Sequence, residues 1–107
     1  MPTPEEAEAF EWDDEGDERG NTAHLAEDRQ DRPGIRWWEV EEVFENGGFF
    51  VPNKQGRSGA WKMLGLTKGA RRLTVIVEYN EVRRTLRPIT GWDCTSEERT
   101  RYGRHLR

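Results

Sequence analysis

The segment GAWKMLGLTKGARRLTVIVEY, residues 59–79, contains two apolar stretches joined by a polar connection. The stretches AWKMLGL and LTVIVEY are rich in residues that favour strands, and Gly69 is suited to the turn between them. The segment therefore predicts an antiparallel β-hairpin at the centre of the fold. It also carries four cations, namely Lys62, Lys68, Arg71 and Arg72.

Two further strands are expected beside this hairpin. FFVP, residues 49–52, precedes it, and RRTLRPIT, residues 83–90, follows it after a tight connection at Asn80 and Glu81. Pro88 has no N–H to donate to a neighbouring strand, so this last strand is expected at a sheet edge or with a bulge near the proline.

Helical patterns lie on both sides of the strand region. Residues 21–29 predict a short helix capped by Asn21 or Thr22. The segment IRWWEVEEVFENGG, residues 35–48, places four apolar side chains on one helical face, and Gly47 or Gly48 can end that helix. These four are Trp37, Val40, Val43 and Phe44.

A last helix is expected near the end of the sequence, because Thr95 and Glu98 have the spacing of a capping box. The order of elements predicts an α+β domain with N-terminal helices, an antiparallel sheet of three to four strands and a C-terminal helix. With 107 residues and five Trp, the chain has the material for one domain and one core.

The charge is divided between the two halves of the sequence. Residues 1–46 contain 16 acidic residues and 4 Lys or Arg, whereas residues 47–107 contain 5 acidic residues and 13 Lys or Arg. The net charge is therefore −12 in the first part and +8 in the second. A basic half of this density is compatible with binding a phosphate-bearing or acidic partner, and the acidic half can shield it within the same chain.

Several functional classes lack their sequence signatures. The chain has no phosphate-binding glycine loop, no dinucleotide fingerprint, no Cys-x-x-Cys and no His-Glu-x-x-His, so no metal or cofactor is expected. Its single cysteine, Cys94, excludes an internal disulfide, and no special geometry links it to His105. With no signal peptide or membrane span in the sequence, a soluble cytoplasmic protein is expected.

Alternation on the hairpin places Glu78 on the face opposite Leu73, Val75 and Val77. If helices cover one face, the other can present a basic surface for single-stranded RNA, with cations on phosphates and Trp61, Trp92 or Tyr102 stacked on bases. The cations are Lys62, Arg71 or Arg72, Arg83 and Arg87. A ribose 2′-hydroxyl could then attack its own phosphate, with proton transfer by Glu78, His24, His105 or Tyr102.

The order of short motifs resembles the BrnT family of ribonuclease toxins from bacterial toxin–antitoxin systems. The matching segments begin with Phe10, Trp12 and Asp13, followed by Asn21 and His24. They continue with the Glu-rich helix 34–44, the hairpin 65–77 and a final motif of Thr95, Glu98, Arg99 and Tyr102. Three departures are visible. Trp92 stands where the family usually has an arginine, and the link between His24 and Gly34 is lengthened. The helix after Gly34 also lacks the usual Ser or Thr cap and has Arg36 in its place.

The resemblance implies a RelE-like fold, metal-independent ribonuclease activity and neutralisation by an antitoxin encoded nearby, through which homo- or hetero-oligomers could form. It also implies a strand at residues 10–12, which leaves residues 1–9 as a flexible acidic arm and residues 10–107 as the domain. The expected catalytic residues are Lys62, Arg71, Arg72, Glu78, Arg87 and Tyr102. The expected RNA-binding residues are Arg57, Arg83, Arg84, Trp92 and Arg101.

A different class of function fits the same residues. A toxin-like domain without catalytic activity could use its basic face to bind RNA or an acidic protein. The two hypotheses differ in whether purified protein cleaves RNA.

Overall fold

The computed structural model describes residues 3–28, 33–53 and 60–106. Three α-helices lie within these residues: α1 (Asn21–Ala26), α2 (Trp37–Glu45) and α3 (Ser96–Tyr102). The strands there are β1 (Ala9–Phe10), β2 (Phe49–Pro52), β3 (Ala60–Leu66), β4 (Arg72–Asn80) and β5 (Thr85–Asp93). No helix in the described part of the chain is both long and apolar enough to cross a membrane.

The described strands form one sheet in the order β1-β5-β4-β3-β2. Strands β2 to β5 are antiparallel to their neighbours, whereas β1 runs parallel to β5 through the pairs Ala9 with Thr85 and Phe10 with Leu86. The predicted α+β class is confirmed, but the prediction of a purely antiparallel sheet of three to four strands is wrong. A two-residue strand that pairs with a segment far along the chain leaves no periodic pattern in the sequence.

The central hairpin has the predicted strands and an unexpected turn residue. The pairing runs from Ala60 with Glu78 to Leu66 with Arg72. Gly69 lies in the turn as predicted, but the positive φ of 65° falls on the next residue, Ala70. Thr67 supports this conformation, because its carbonyl accepts from the Ala70 N–H at 3.0 Å and its hydroxyl accepts from the Arg71 N–H at 3.1 Å.

Pro88 lies at a bulge in an interior strand. On the neighbouring strand β4, Ile76 pairs with Thr90 and the next residue, Val77, pairs with Pro88. Ile89 is therefore the extra residue of β5 that forms the bulge. The predicted bulge is therefore confirmed. In the sheet order β5 lies between β1 and β4, but its pairing with β1 is limited to Thr85 and Leu86 and does not reach Pro88.

One face of the sheet packs on α1 and α2. Leu73, Val75 and Val77 of β4 are fully buried there, together with Val40 and Val43 of α2. Trp37 was expected on the same helical face, but 36% of it is exposed. As predicted, a glycine in the left-handed conformation follows α2, since Gly47 has a φ of 83°.

The opposite face is covered at one end by α3. Thr74 of β4 is fully buried on this face and its hydroxyl donates to Glu98 at 3.0 Å. The predicted capping box is confirmed, because the Thr95 side chain accepts from the Glu98 N–H and the Glu98 carboxylate accepts from the Thr95 N–H. Helices therefore pack on both faces of the sheet, so the condition for a wholly open basic face is not met.

The N-terminal segments also differ from expectation. Helix α1 is capped by Gly20, without a side-chain cap, and the predicted caps Asn21 and Thr22 are buried and bonded elsewhere. The predicted helix 21–29 ends at Ala26, and Arg29 lies outside the described residues. In the expected acidic arm, Pro4–Glu6 form a 3-10 helix with Pro4 buried, and the expected strand 10–12 is the shorter β1.

Arg71 connects three parts of the chain from the end of the hairpin turn. Its guanidinium donates to the carbonyl oxygens of Pro33 at 2.9 Å and Gly34 at 3.0 Å. It also pairs with Glu39 of α2 at 3.2 Å and with Asp93 of β5 at 2.6 Å. Burial lowers the pKa of Arg71, but Asp93 and Glu39 outweigh this effect, so the pKa is raised and the side chain stays charged.

We expect Arg71→Ala to lower the free energy of unfolding by about 2 to 4 kcal/mol, because it leaves a pair of carboxylates and two carbonyl groups without their shared donor. Urea unfolding followed by tryptophan fluorescence measures this change. The exposed neighbour Arg72 offers a matched control, and Arg72→Ala is expected to change stability by no more than about 0.5 kcal/mol. Equal losses in the two variants would contradict the assigned role of Arg71.

Candidate functional site

The candidate site is organised by the buried side chain of Asn21 at the start of α1. Its amide nitrogen donates to the carbonyl oxygens of Glu11 at 3.0 Å and Pro88 at 2.8 Å. Its amide oxygen accepts from the Asp13 N–H at 2.9 Å. One side chain therefore joins the segment after β1 to the β5 bulge and satisfies the carbonyl group of Pro88.

Asp13 is held by this arrangement against Arg87 of β5. Its carboxylate accepts from the guanidinium at 2.7 and 3.3 Å and from the Asn21 N–H at 2.9 Å. The hydrogen bond from Arg87 and then that from Asn21 hold the pKa of Asp13 below its ordinary value. The same hydrogen bond with Asp13 raises the pKa of Arg87 above its ordinary value.

Glu78 of β4 lies directly opposite Arg87 in the sheet register. Lys62 of β3 pairs with Ile76, two residues before Glu78, so all three charged side chains belong to the same face of adjacent strands. Each of the three is half-buried. The structure therefore brings together Lys62, Glu78 and Arg87, which the sequence places among the catalytic candidates.

A shallow cleft of about 400 Å³ opens beside Glu78 and Arg87, and we call it the Glu78 cleft. Its lining includes Arg19, His24, Glu78, Arg87 and Ile89. Glu78, His24 and Arg87 thus offer a carboxylate, an imidazole and a guanidinium around one space. These are the group types needed to move a proton and to hold a phosphate.

A second cleft of about 320 Å³ lies between α1 and the end of β5, and we call it the Trp92 cleft. Its polar and aromatic lining includes His24, Glu27, Thr90, Trp92, Asp93 and Thr95. The His24 Nε2 atom lies 3.3 Å from the Thr90 hydroxyl oxygen. Since His24 lines both clefts, it marks the boundary between them.

Other predicted catalytic residues lie apart from the Glu78 cleft. The guanidinium of Arg71 is engaged by internal partners, and Arg72 is exposed at the start of β4, next to α3 in a separate depression. Tyr102 packs with Phe49, with 5.8 Å between ring centroids, beside the cluster of Leu64, Cys94 and Leu106. The arrangement does not bring these side chains to Glu78.

The predicted RNA-binding residues are dispersed over the surface. Arg83 and Arg84 are exposed between β4 and β5, where they pair with Glu11 at 3.4 Å and Glu8 at 3.5 Å. Arg101 is exposed on α3, and its guanidinium lies 5.7 Å from the Tyr102 ring centroid. Trp92 lines the second cleft. Arg57 lies outside the described residues.

Sequence reasoning missed the residues that support the site. Asp13 and Asn21 are matched by the BrnT resemblance, but the sequence predicts only a helix cap for Asn21 and no contact for Asp13, and it draws no attention to Arg19 or Thr90. One signal was present, because a proline within a strand indicates a bulge, and a bulge leaves backbone groups that need another partner. Nothing in the sequence indicates that Asn21 is that partner.

Comparison with known proteins finds no family model that matches the sequence, and no matching curated protein or solved structure. The likeness to BrnT toxins stays a prediction.

We expect Asp13→Asn to remove an acid-sensitive part of the stability. Because the pKa of Asp13 is lower in the folded protein than its ordinary value of 3.8, ionised Asp13 stabilises the fold above that value. This contribution is lost as the pH falls through the lowered folded pKa. The stability difference between wild type and Asp13→Asn should be constant near neutral pH and shrink below about pH 4.

Denaturant unfolding across this pH range measures the effect. Asp17→Asn serves as a control, because Asp17 is exposed and its carboxylate, among the described residues, accepts a hydrogen bond only from the nearby Arg19 N–H. A stability difference between wild type and Asp13→Asn that does not change with pH would contradict the proposed linkage.

Proposed function

We propose that this protein is the toxin component of a bacterial toxin–antitoxin pair and cleaves RNA without a metal ion. The observation that carries the proposal is the Glu78 cleft, where Glu78, Arg87 and His24 line one space. Lys62 lies on the same sheet face as Glu78 and Arg87. The order of motifs that resembles BrnT toxins supports the biological role. The strongly basic second half of the chain supports an RNA substrate.

The chemistry assigned to the cleft is an internal transesterification. The ribose 2′-hydroxyl attacks the adjacent phosphorus while its proton passes to the Glu78 carboxylate. The bond from phosphorus to the 5′-oxygen breaks, and protonated His24 supplies the proton that this leaving oxygen takes up. The products are a 2′,3′-cyclic phosphate and a free 5′-hydroxyl, so no water, metal or cofactor enters this step.

Arg87 and Lys62 are assigned to the charge on the phosphate. Arg87 uses one N–H from each terminal nitrogen for Asp13, and among the described contacts its other donors remain for phosphate oxygens. The bond to Asp13 fixes the guanidinium before substrate arrives. A donor that is already oriented stabilises developing charge without the cost of reorganisation.

We expect purified protein to cleave single-stranded RNA in EDTA and to leave cyclic phosphate ends. Glu78→Gln is expected to lower the cleavage rate about 100-fold or more through loss of the base. Arg87→Ala is expected to cause a loss of similar size through weaker phosphate stabilisation. Gel analysis of end-labelled RNA measures both rates, and thermal unfolding confirms that each variant is folded.

Two exposed residues provide matched controls for these variants. Glu45→Gln on α2 and Lys68→Ala in the β3–β4 turn remove the same charges away from the cleft and should cleave at the wild-type rate. The catalytic proposal fails if wild type does not cleave RNA in EDTA, or if folded Glu78→Gln and Arg87→Ala cleave normally.

A non-catalytic RNA-binding module is the second candidate. It is favoured by the internal pairing of Arg71 with Asp93 and Glu39 and of Arg87 with Asp13, because a guanidinium already paired with a carboxylate stabilises less of the negative charge that develops on a reacting phosphate. This candidate predicts that labelled RNA is retarded in a gel but not cut, and that binding weakens as salt is added. Cleavage that is lost in Glu78→Gln would exclude it.

A further inference from the structure

The Trp92 cleft has the size and lining of a site for a flat ring. Its volume of about 320 Å³ falls at the lower end of small-molecule sites, which span about 300 to 1,000 Å³. Leu25 and Ile35 are buried apolar residues of its wall, and Gly91 lies between them. A Cβ atom at Gly91 would come within 3.2 Å of the Ile35 Cδ1 atom and 3.4 Å of the Leu25 Cδ2 atom.

Trp92 forms an aromatic wall that is fixed in place. Its indole N–H donates to the Glu98 Oε1 atom at 3.0 Å. The same oxygen accepts from the Thr74 hydroxyl at 3.0 Å and the Thr95 N–H at 2.9 Å. Because Glu98 is itself buried and bound on several sides, the indole is oriented before any ligand arrives. A fixed indole is a suitable surface for stacking a nucleobase.

Two carboxylates, those of Asp93 and Glu27, belong to residues that line the cleft. The Asp93 carboxylate is already bound to Arg71. The Glu27 carboxylate is exposed, and no hydrogen bond to its side chain occurs among the described residues. A carboxylate accepts two hydrogen bonds side by side, so it suits a ring edge that presents two adjacent donors.

Guanine has such an edge, with its N1–H and its exocyclic amino group next to each other. Uracil offers one N–H between two acceptors, while adenine and cytosine offer an amino group beside an acceptor nitrogen that a carboxylate repels. We propose that the Trp92 cleft binds a guanine base of RNA, stacked on Trp92, with Glu27 accepting from N1–H and the amino group. This proposal rests on the proposed function for its RNA source.

The position of His24 relates the two clefts. His24 lines both of them, so a guanine in the Trp92 cleft places its own ribose and phosphate towards the Glu78 cleft. The arrangement gives cleavage next to guanine, with the base selected in one cleft and the phosphate held in the other. The preference of the nuclease for guanine would then come from Glu27, which takes no part in the reaction.

Binding is tested by titrating ¹⁵N-labelled protein with guanosine, adenosine, cytidine and uridine 5′-monophosphates. The indole N–H signal of Trp92 is assigned by its disappearance in Trp92→Phe, a change that keeps an aromatic ring. We expect guanosine monophosphate to shift this signal and to bind about tenfold more tightly than the other three. Equal affinity for all four nucleotides, or no shift of the Trp92 signal, would overturn the proposal.

Glu27→Gln should reduce the preference for guanosine monophosphate about tenfold, because an amide can no longer accept two hydrogen bonds side by side. Glu45→Gln on α2 is the control and should keep the preference. A preference retained in Glu27→Gln would overturn the assigned role of Glu27.

Two oligonucleotides separate RNA from a free nucleotide as the source of the base. A single-stranded RNA with one guanine is expected to bind more tightly than guanosine monophosphate and more tightly than the same RNA with uridine at that place. RNA that binds more weakly than the free nucleotide would overturn RNA as the source.

Failure of this proposal and failure of the nuclease proposal are distinguishable. Cleavage that depends on Glu78 without any guanine preference removes the guanine site and leaves the nuclease. Guanine preference that depends on Glu27 without cleavage removes the nuclease and leaves the binding site.

Discussion

The guanidinium of Arg71 joins parts of the chain that lie more than twenty residues apart. It binds the carbonyl groups of Pro33 and Gly34 before α2, Glu39 within α2, and Asp93 at the end of β5. Five N–H donors on a planar group permit this combination, which a lysine could not reproduce. The geometry of the Trp92 cleft depends on these bonds, because Gly34, Arg71 and Asp93 all line it.

A related arrangement joins the acidic and basic halves of the sequence. Asp13 comes from the acidic half and pairs with Arg87 at 2.7 Å, and Glu11 and Glu8 pair with Arg83 and Arg84. Part of the charge asymmetry is therefore neutralised within the fold. The exposed pairs contribute little to stability, whereas the half-buried pair of Asp13 with Arg87 is also oriented by Asn21. This internal pairing limits which cations can meet a partner.

Much of the fold could be predicted from local patterns. Strand alternation located β3 and β4, the apolar spacing of Val40 and Val43 located α2, and the Thr95 and Glu98 spacing located α3. The candidate site was harder, since only Lys62, Glu78 and Arg87 of the predicted catalytic residues lie together. Arg71 was predicted to contact RNA, yet its partners come from segments whose approach no local pattern reveals.

The sequence by itself determined the α+β class, the central hairpin and the division of charge, because each depends on neighbouring residues or on composition. Only the tertiary structure decided that β1 is parallel to β5, that Asn21 satisfies the Pro88 carbonyl, and that His24 lies between two clefts. The reason is physical. A hydrogen bond or ion pair between distant segments depends on how those segments pack, and the residue types alone admit many partners.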